Sequence, residues 1–85
     1  MPTWPAWWRW ELELSSHLFK RMSDRDFNEI DIRRMLSVAV SLHRDVDPGR
    51  WIIETRHRQK RWEVIVEPDA DHQVLVVITA YRIES

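Results

Sequence analysis

Residues 73–81 read Gln-Val-Leu-Val-Val-Ile-Thr-Ala-Tyr and form the longest β-branched, nearly uncharged run of the chain. A strand with one solvated face alternates apolar and polar residues, whereas this run offers apolar side chains to both faces. Its β-branched residues and short length favour a strand over a buried helix. The run therefore predicts a central strand that is covered on both faces. Thr79 and Tyr81 end it as a hydroxyl pair, which fits either satisfied core hydroxyls or part of a site.

Length and composition set the class of protein. The 85 residues have room for one domain, which at this size buries only about 60% of its unfolded surface and is marginal without a partner. Cysteine is absent, which excludes disulfides and thiolate metal sites and favours a cytoplasmic protein. No apolar run approaches the roughly 18 residues of a membrane span, and the N-terminus lacks the pattern of a secretory signal. We therefore expect a soluble chain with no membrane partner.

The formal net charge of −1 hides a segregation of charge along the chain. Residues 50–62 carry five basic side chains against one acid, whereas residues 63–85 carry five acids against one arginine. We therefore expect a basic hairpin beside an acidic C-terminal part.

Four of the six tryptophans lie within the first ten residues. We predict that Trp4, Trp7 and Trp8 form a tryptophan-rich arm over residues 1–9 that contacts another chain, because tryptophan is enriched at interfaces and stacks on bases. The alternative is that these rings close an open end of the core. From Trp8 to Leu14 the apolar residues recur at every second position, which predicts a strand with one solvated face.

Two helices are predicted to follow this strand. The serines at 15–16 offer caps for a short helix that runs to about Ser23. The second helix has the clearest start, with Asn28 as its N-cap and Asp31 three positions further on. Apolar residues at helical spacing continue its buried face as far as Val40.

The rest of the chain reads as strands and turns. In order, these are a turn at 47–49, strands at 51–57 and 62–67 joined by a hairpin tip at 58–61, and a turn at 68–71 before the central strand. The element order is β-α-α-β-β-β. We predict one α+β domain over residues 1–85, with two helices packed on one face of a four-stranded, mainly antiparallel sheet. The N-terminal strand and the second hairpin strand are expected to flank the central strand.

A family resemblance rests on three stretches of this sequence. They are residues 17–25, His-Leu-Phe-Lys-Arg-Met-Ser-Asp-Arg, a second helix ending in Leu36, and the closing Val-Val-Ile-Thr-Ala-Tyr strand. Over residues 10–82 the chain resembles the bacterial family catalogued as domain of unknown function 4258. That family shows a His, an Arg-Met pair four and five residues on, another Arg before the second helix, and a terminal Val-x-Thr-x-Tyr strand. The chain departs at Asp26, around which members usually have Gly and a small apolar residue.

This family is similar to the RelE-like and barnase-like ribonuclease toxins, which share the β-α-α-β-β-β order. The resemblance therefore implies a RelE-like fold and a bacterial toxin that cleaves RNA under the control of an antitoxin protein.

The residues themselves supply what metal-independent RNA cleavage needs, namely a base, an acid and cations that hold the phosphate. The predicted catalytic residues are His17, Arg21, His57 and Tyr81, with Glu54 as another supporting acid or base. The predicted phosphate-binding residues are Arg25, Arg56, Arg58, Lys60 and Arg61. Each has a structural alternative, since His17 fits a role in the first helix turn and the arginines fit surface ion pairs. No cofactor or metal is expected, because the histidines do not cluster with carboxylates.

Two functions stay open. The first is a toxin-like, metal-independent endoribonuclease, with RNA as substrate and an antitoxin as partner. The second is a non-catalytic module that binds protein or nucleic acid through the tryptophan-rich arm and the basic hairpin; a homodimer is compatible with both. A nuclease requires Arg21, Arg25 and residues 56–61 to converge on one concave face, whereas a binding module does not.

Overall fold

A mixed five-stranded sheet and two helices account for most of residues 4–83, the part of the chain that the computed structural model describes. The elements in chain order are a 3₁₀ helix (Ala6–Arg9), β1 (Glu11–Leu14), α1 (Ser16–Arg25), α2 (Glu29–Ser37), β2 (Ser41–Arg44), β3 (Trp51–His57), β4 (Lys60–Asp69) and β5 (Val74–Arg82). The predicted α+β class is confirmed.

The strands lie in the order β1-β5-β4-β3-β2, parallel between β1 and β5 and antiparallel elsewhere. β5 is internal, as its sequence predicts. The prediction of four strands is wrong, because β2 pairs with β3 and adds a fifth strand at that edge. The sequence does not predict β2, because residues 38–40 continue the apolar spacing of α2 and the strand itself is only four residues long.

β5 contains an irregularity that the sequence pattern does not reveal. Val77 pairs with Val66 on β4, but the next pair along the two strands is Thr79 with Ile65. Ile78 is therefore an extra residue on β5, as in a β-bulge. Such an insertion reverses the alternation of side chains along the rest of the strand.

The bulge decides which residues of β5 reach the core. Leu75 and Val77 before it, and Ala80 after it, are all buried on the same side of the sheet. Within the described residues, the predicted cover on both faces of β5 is complete only on the helix side. Val76 and Ile78 are half-buried, and no helix packs on their side.

Both helices pack on one face of the sheet. α1 contributes Leu18 to the core and α2 contributes Ile32 and Met35, all three fully buried. The Thr55 hydroxyl of β3 donates a hydrogen bond to the Met35 carbonyl and ties the end of α2 to the sheet. The sheet residues of the same core are Ile53, Trp62, Val64, Val66, Leu75, Val77 and Ala80. Full burial of one such aliphatic side chain contributes about 1.5–3 kcal/mol.

α1 replaces a missing strand at one edge of β5. β1 pairs only with the first half of β5, so carbonyl groups further along β5 need other donors. The Ser15 amide donates to the Val77 carbonyl at 3.1 Å, and its hydroxyl donates to the Ile78 carbonyl at 2.8 Å. The Arg25 guanidinium donates to the Ala80 carbonyl at 2.8 Å. The helix therefore covers this edge with its two ends.

The helix starts follow the sequence, whereas the ends do not. Asn28 and Asp31 form a complete capping box at the start of α2. α1 runs two residues past Ser23 and ends at Arg25. Its C-cap, Asp26, adopts a left-handed conformation with φ 57°. Glycine adopts this conformation at the least cost of any residue. Within residues 4–83, no helix is long and apolar enough to cross a membrane.

α2 ends earlier than its apolar pattern predicts. Its last helical residue is Ser37, and Val38 is the C-cap. Val40 is therefore not part of the buried helix face, and its side chain is 60% exposed just before β2. At the N-terminus, Trp8 lies in the 3₁₀ helix and the predicted strand begins only at Glu11.

Candidate functional site

The face of the sheet opposite the helices, which we call the open face, carries two rows of like charge. Glu54 on β3 lies directly opposite Glu63 on β4, and Arg56 lies directly opposite Arg61. All four alternate along their strands with buried core residues, so they project from the open face. Directly opposed like charges destabilise a sheet, and such a departure from local rules is expected at functional positions.

Tyr81 extends the acidic row onto β5, since it is the register partner of Glu63. Its hydroxyl donates a hydrogen bond to Glu63 Oε1 at 2.5 Å. Burial, followed by this hydrogen bond, raises the pKa of Tyr81 to about 12, although the charge of Arg25 acts in the opposite direction. The phenol therefore stays protonated at neutral pH and can donate a hydrogen bond or a proton. We call Tyr81, Glu54, Glu63, Arg56 and Arg61 the Tyr81 cluster.

Glu54 is held less tightly than Glu63. Its Oε1 lies 4.0 Å from Nδ1 of His43 on β2, beyond hydrogen-bond distance. No hydrogen bond to the Glu54 side chain occurs among residues 4–83. A half-exposed carboxylate in this state is able to accept a proton, which is the chemistry of a general base.

Two concave spaces meet at the Tyr81 cluster. The larger, which we call the Tyr81 cleft, has a volume of about 510 Å³ and is lined by Asp24, Arg25, Asp26, Trp62, Tyr81 and Arg82. The smaller has a volume of about 130 Å³, and its lining includes Glu54, Arg56, Arg61, Trp62 and Glu63. The hydrogen bond between Tyr81 and Glu63 links the two linings. The volume of the larger space falls in the range of ligand sites.

Arg25 is fixed at the wall of the Tyr81 cleft. Besides its bond to the Ala80 carbonyl, its Nη1 lies 3.4 Å from Thr79 Oγ1. Thr79 thus acts as a satisfied hydroxyl, one of the two alternatives that the sequence leaves open for it. A guanidinium has five N–H donors, so those contacts leave donors for a ligand.

Two further predicted cations border the same cleft through its acidic residues. Arg21 pairs with Asp24 at 3.2 Å, and Arg58 at the hairpin tip pairs with Asp26 at 3.2 Å. The hairpin therefore does approach the end of α1, as the nuclease hypothesis requires. Both pairs are exposed, so each is worth little to stability.

His57 does not join this group. It alternates with the open-face residues of β3 and lies on the helix side, where its ring packs edge-on against Trp62 at 5.4 Å. Its Nε2 is buried and lies 4.0 Å from Asp31 Oδ2, with no hydrogen-bond partner among the described residues. The surroundings of His57 are those of a core histidine, on the opposite side of the sheet from Tyr81.

The remaining predicted site residues are exposed. His17 lies in the first turn of α1 and is absent from the linings of both spaces, as is Lys60 at the start of β4. Of the four predicted catalytic residues, Tyr81 alone belongs to the cluster. Among residues 4–83, no three histidine, aspartate or glutamate side chains are grouped closely enough to hold a metal ion.

The sequence reasoning missed the pairing of Glu54 with Glu63. Arg58 and Gln59 both have positive φ, 52° and 66°, and form a two-residue turn. A turn at these two residues places 54 opposite 63, whereas a tip at 58–61 does not. The register of β3 with β4 therefore could be predicted only from the correct turn length.

The tryptophans of the N-terminus form one chain of ring contacts. Trp4 stacks on Trp8 with centroids 4.4 Å apart, Trp8 contacts Trp7 at 6.2 Å, and Trp7 contacts Trp51 of β3 at 5.7 Å. All four are half-buried, and Trp7, Trp8 and Trp51 pack against the core. This packing favours the alternative in which the arm closes one end of the core.

Comparison with known families gives one match. The model of the family described as "Domain of unknown function (DUF4258)" matches residues 14–82. The match contains the whole Tyr81 cluster and leaves out the N-terminal tryptophans. No curated protein and no solved structure matches the chain. The likeness to RelE-like and barnase-like toxins stays a prediction.

Proposed function

This chain belongs to the DUF4258 family, and we propose that it is a metal-independent endoribonuclease whose reaction takes place at the Tyr81 cluster. The observation that carries the proposal is the cluster itself: a carboxylate with no hydrogen bond among the described residues, a protonated phenol held by a second carboxylate, and a row of two arginines on one sheet face. The role of a bacterial toxin that an antitoxin inhibits belongs to the same proposal.

The reaction assigns one task to each group. Glu54 removes the proton of a ribose 2′-hydroxyl, and the resulting oxygen forms a bond to the adjacent phosphorus. The bond from phosphorus to the 5′-oxygen breaks, and Tyr81 gives its proton to that oxygen. The products are a 2′,3′-cyclic phosphate and a 5′-hydroxyl, so no metal or co-reactant is consumed.

The surrounding charges support both the binding and the reaction. Arg56 and Arg61 lie one row from the acids on the same face and are placed to stabilise the charge that develops on the phosphate. Arg25 in the Tyr81 cleft is placed to bind a neighbouring phosphate. Glu63 keeps the phenol protonated until the leaving oxygen takes its proton.

Cleavage of mixed single-stranded RNA in the presence of a chelator tests the proposal. We expect Glu54→Gln and Tyr81→Phe each to lower the rate by roughly 10²–10⁴-fold, as for the loss of a general base or acid. Glu67→Gln is the matched control, because Glu67 is also on β4 but pairs with Arg50 at 3.4 Å. Circular dichroism checks that every variant is folded.

The same assay examines the residues that the sequence alone pointed to. His17→Ala and Arg21→Ala test their predicted catalytic roles beside the cluster variants. If the wild-type protein cleaves none of several RNAs, or if Glu54→Gln and Tyr81→Phe leave cleavage undiminished, the nuclease proposal fails. RNA that is bound but not cut would instead support the non-catalytic module.

The specific observation behind that second function is the cation set at the hairpin. Arg58, Lys60 and Arg61 are exposed at the hairpin, and Arg58 pairs with Asp26 of the Tyr81 cleft. These cations suit binding to a phosphate backbone without any acid or base. Loss of one such contact is expected to reduce the salt dependence of binding by about one counterion.

A further inference from the structure

β2 is a free edge of the sheet within residues 4–83. The Asp45 amide donates to the Arg50 carbonyl at 3.0 Å, so Ser41, His43 and Asp45 direct their backbone groups toward β3. In an antiparallel pair the alternate residues direct theirs away. The N–H and C=O groups of Leu42 and Arg44 therefore point outward, where a further strand is able to bind them.

Exposed apolar side chains flank this edge. Val40 is 60% exposed and Val46 is 95% exposed. Both lie just outside β2, and the Val40 amide donates to the Glu54 carbonyl of β3 at 2.9 Å. Both valines are mostly exposed in the monomer, and a strand added at this edge is able to cover them. Arg44, in contrast, already packs over the Trp51 ring at 5.1 Å.

We propose that β2 binds β2 of a second copy of this chain, antiparallel, about a two-fold axis at His43. The two edges can form backbone hydrogen bonds only if Leu42 and Arg44 of one copy face Leu42 and Arg44 of the other. The two-fold axis therefore passes through residue 42, 43 or 44. An axis at 44 opposes two arginines, which is unfavourable. An axis at 42 places Val46 opposite the partner's Val38, which is the C-cap of α2 and not part of the edge strand.

The axis at His43 matches the side chains along the whole edge. Leu42 then lies opposite the partner's Arg44, with both of their outward backbone groups bonded. Val40 lies opposite the partner's Val46, so the two most exposed residues of the edge cover each other. Ser41 lies opposite the partner's Asp45, a hydroxyl against a carboxylate. No two carboxylates and no two arginines oppose each other in this register.

The assembly joins two five-stranded sheets into one continuous sheet. Their open faces become a single surface, and the two copies of His43 meet at its centre, each 4.0 Å from Glu54 of its own chain. The seam is short, so the dimer belongs to the weak class of small interfaces.

The absence of cysteine allows a direct test of the register. His43 is a non-hydrogen-bonded position toward the partner, where opposed Cα atoms lie about 4.5 Å apart, within disulfide range. His43→Cys should therefore form a disulfide-linked dimer under mild oxidation of the folded protein. Ser41→Cys is the control, because the two copies of residue 41 are then offset by roughly 13 Å along the strands.

Equal cross-linking of both variants, or of neither, would overturn the proposal. A second pair of variants tests the backbone bonds without a cysteine. Arg44→Pro and Arg44→Ala both remove the side chain, but only proline removes the outward N–H. In sedimentation equilibrium we expect the dimer dissociation constant of Arg44→Pro to exceed that of Arg44→Ala by about tenfold or more. Equal dissociation constants would show that this edge does not pair.

Discussion

The single tyrosine of the chain has its hydroxyl 2.5 Å from a carboxylate that itself lies opposite another carboxylate. Burial first, and then the hydrogen bond and the charge of Glu63, raise the pKa of Tyr81, so the phenol keeps its proton. The hydrogen bond from Tyr81 occupies Glu63. Glu54 is then the carboxylate of the cluster that can accept a proton. Two carboxylates that share a site, here Glu54 and Glu63, can take different roles because their surroundings differ.

A spectroscopic titration of that tyrosine is the first prediction. Because the folded pKa of Tyr81 is about 12 against about 10 for a free phenol, the folded state favours the protonated form. The stability from this preference is complete below about pH 10 and is lost as the pH rises toward the folded pKa. Tyrosinate absorbance should therefore show a midpoint near pH 12 in native protein and near 10 in denaturant.

Glu63→Gln provides the control for this titration. It removes the negative charge while keeping a hydrogen-bond acceptor, so the midpoint should move toward 10. A native wild-type midpoint already near 10, in protein that circular dichroism shows to be folded, would contradict the described environment.

Backbone conformation marks the same region. Asp26, Arg58 and Gln59 are three of the four described non-glycine residues with positive φ, and the fourth, Gln73, precedes β5. A left-handed conformation costs roughly 1–2 kcal/mol for such residues. Asp26 and Arg58 also form the ion pair at the Tyr81 cleft. Strain of this kind persists where the surrounding structure fixes it, and it clusters at functional sites.

At the scale of elements, α1 is bonded to β5 at both of its ends. Ser15 caps the helix by accepting from the Leu18 amide at 3.0 Å, and it also donates to the Ile78 carbonyl on β5. Arg25 makes the corresponding contact ten residues later. The helix therefore places Arg25 in the Tyr81 cleft while serving as the neighbour that β5 lacks.

Removal of the Ser15 hydroxyl is the prediction at this scale. Ser15→Ala loses an N-cap, which costs about 1 kcal/mol, and leaves a β5 carbonyl without its donor, which costs about 1 kcal/mol more. Urea unfolding should show a loss of about 2 kcal/mol in the free energy of unfolding. Ser16→Ala, at the next and exposed serine, should change it by less than about 0.5 kcal/mol. Equal effects at the two positions would argue against the dual contact.

At the scale of the whole molecule, the N-terminal tryptophans complete a core that 85 residues scarcely fill. Trp7 joins the 3₁₀ helix to β3 through Trp51, and Trp8 lies against the core between Trp7 and Trp4. The family match begins after these residues. This chain therefore stabilises a shared domain with its own N-terminal segment.

The corresponding prediction concerns Trp7. Trp7→Ala should lower the free energy of unfolding by about 2 kcal/mol, less than the 3–5 kcal/mol of a fully buried tryptophan, because the ring is half-buried. Thermal unfolding of this variant beside Arg9→Ala, an exposed neighbour, measures the difference. If Trp7→Ala unfolds at the wild-type temperature, the ring is not part of the core, and a role in binding another chain becomes the better explanation.

The sequence by itself determined the elements whose causes are local. Three such features appear in the structure: the β-branched run of β5, the capping box at Asn28 and the alternation of Trp51–His57. Each depends only on residues that are close together in the sequence. It also determined that β5 is internal, since a run that is apolar at successive positions is not stable at an exposed edge.

Only the tertiary structure decided which side chains share a face. Alternation depends on strand register, which here follows from a two-residue turn at Arg58 and a bulge at Ile78 that no local pattern announces. Those two features put Tyr81 beside Glu63 on the open face. β2 likewise exists because β3 offers it an edge, since its own four residues carry too little propensity to predict a strand. Contacts between distant parts of the chain set register and edges, and so they set the candidate site.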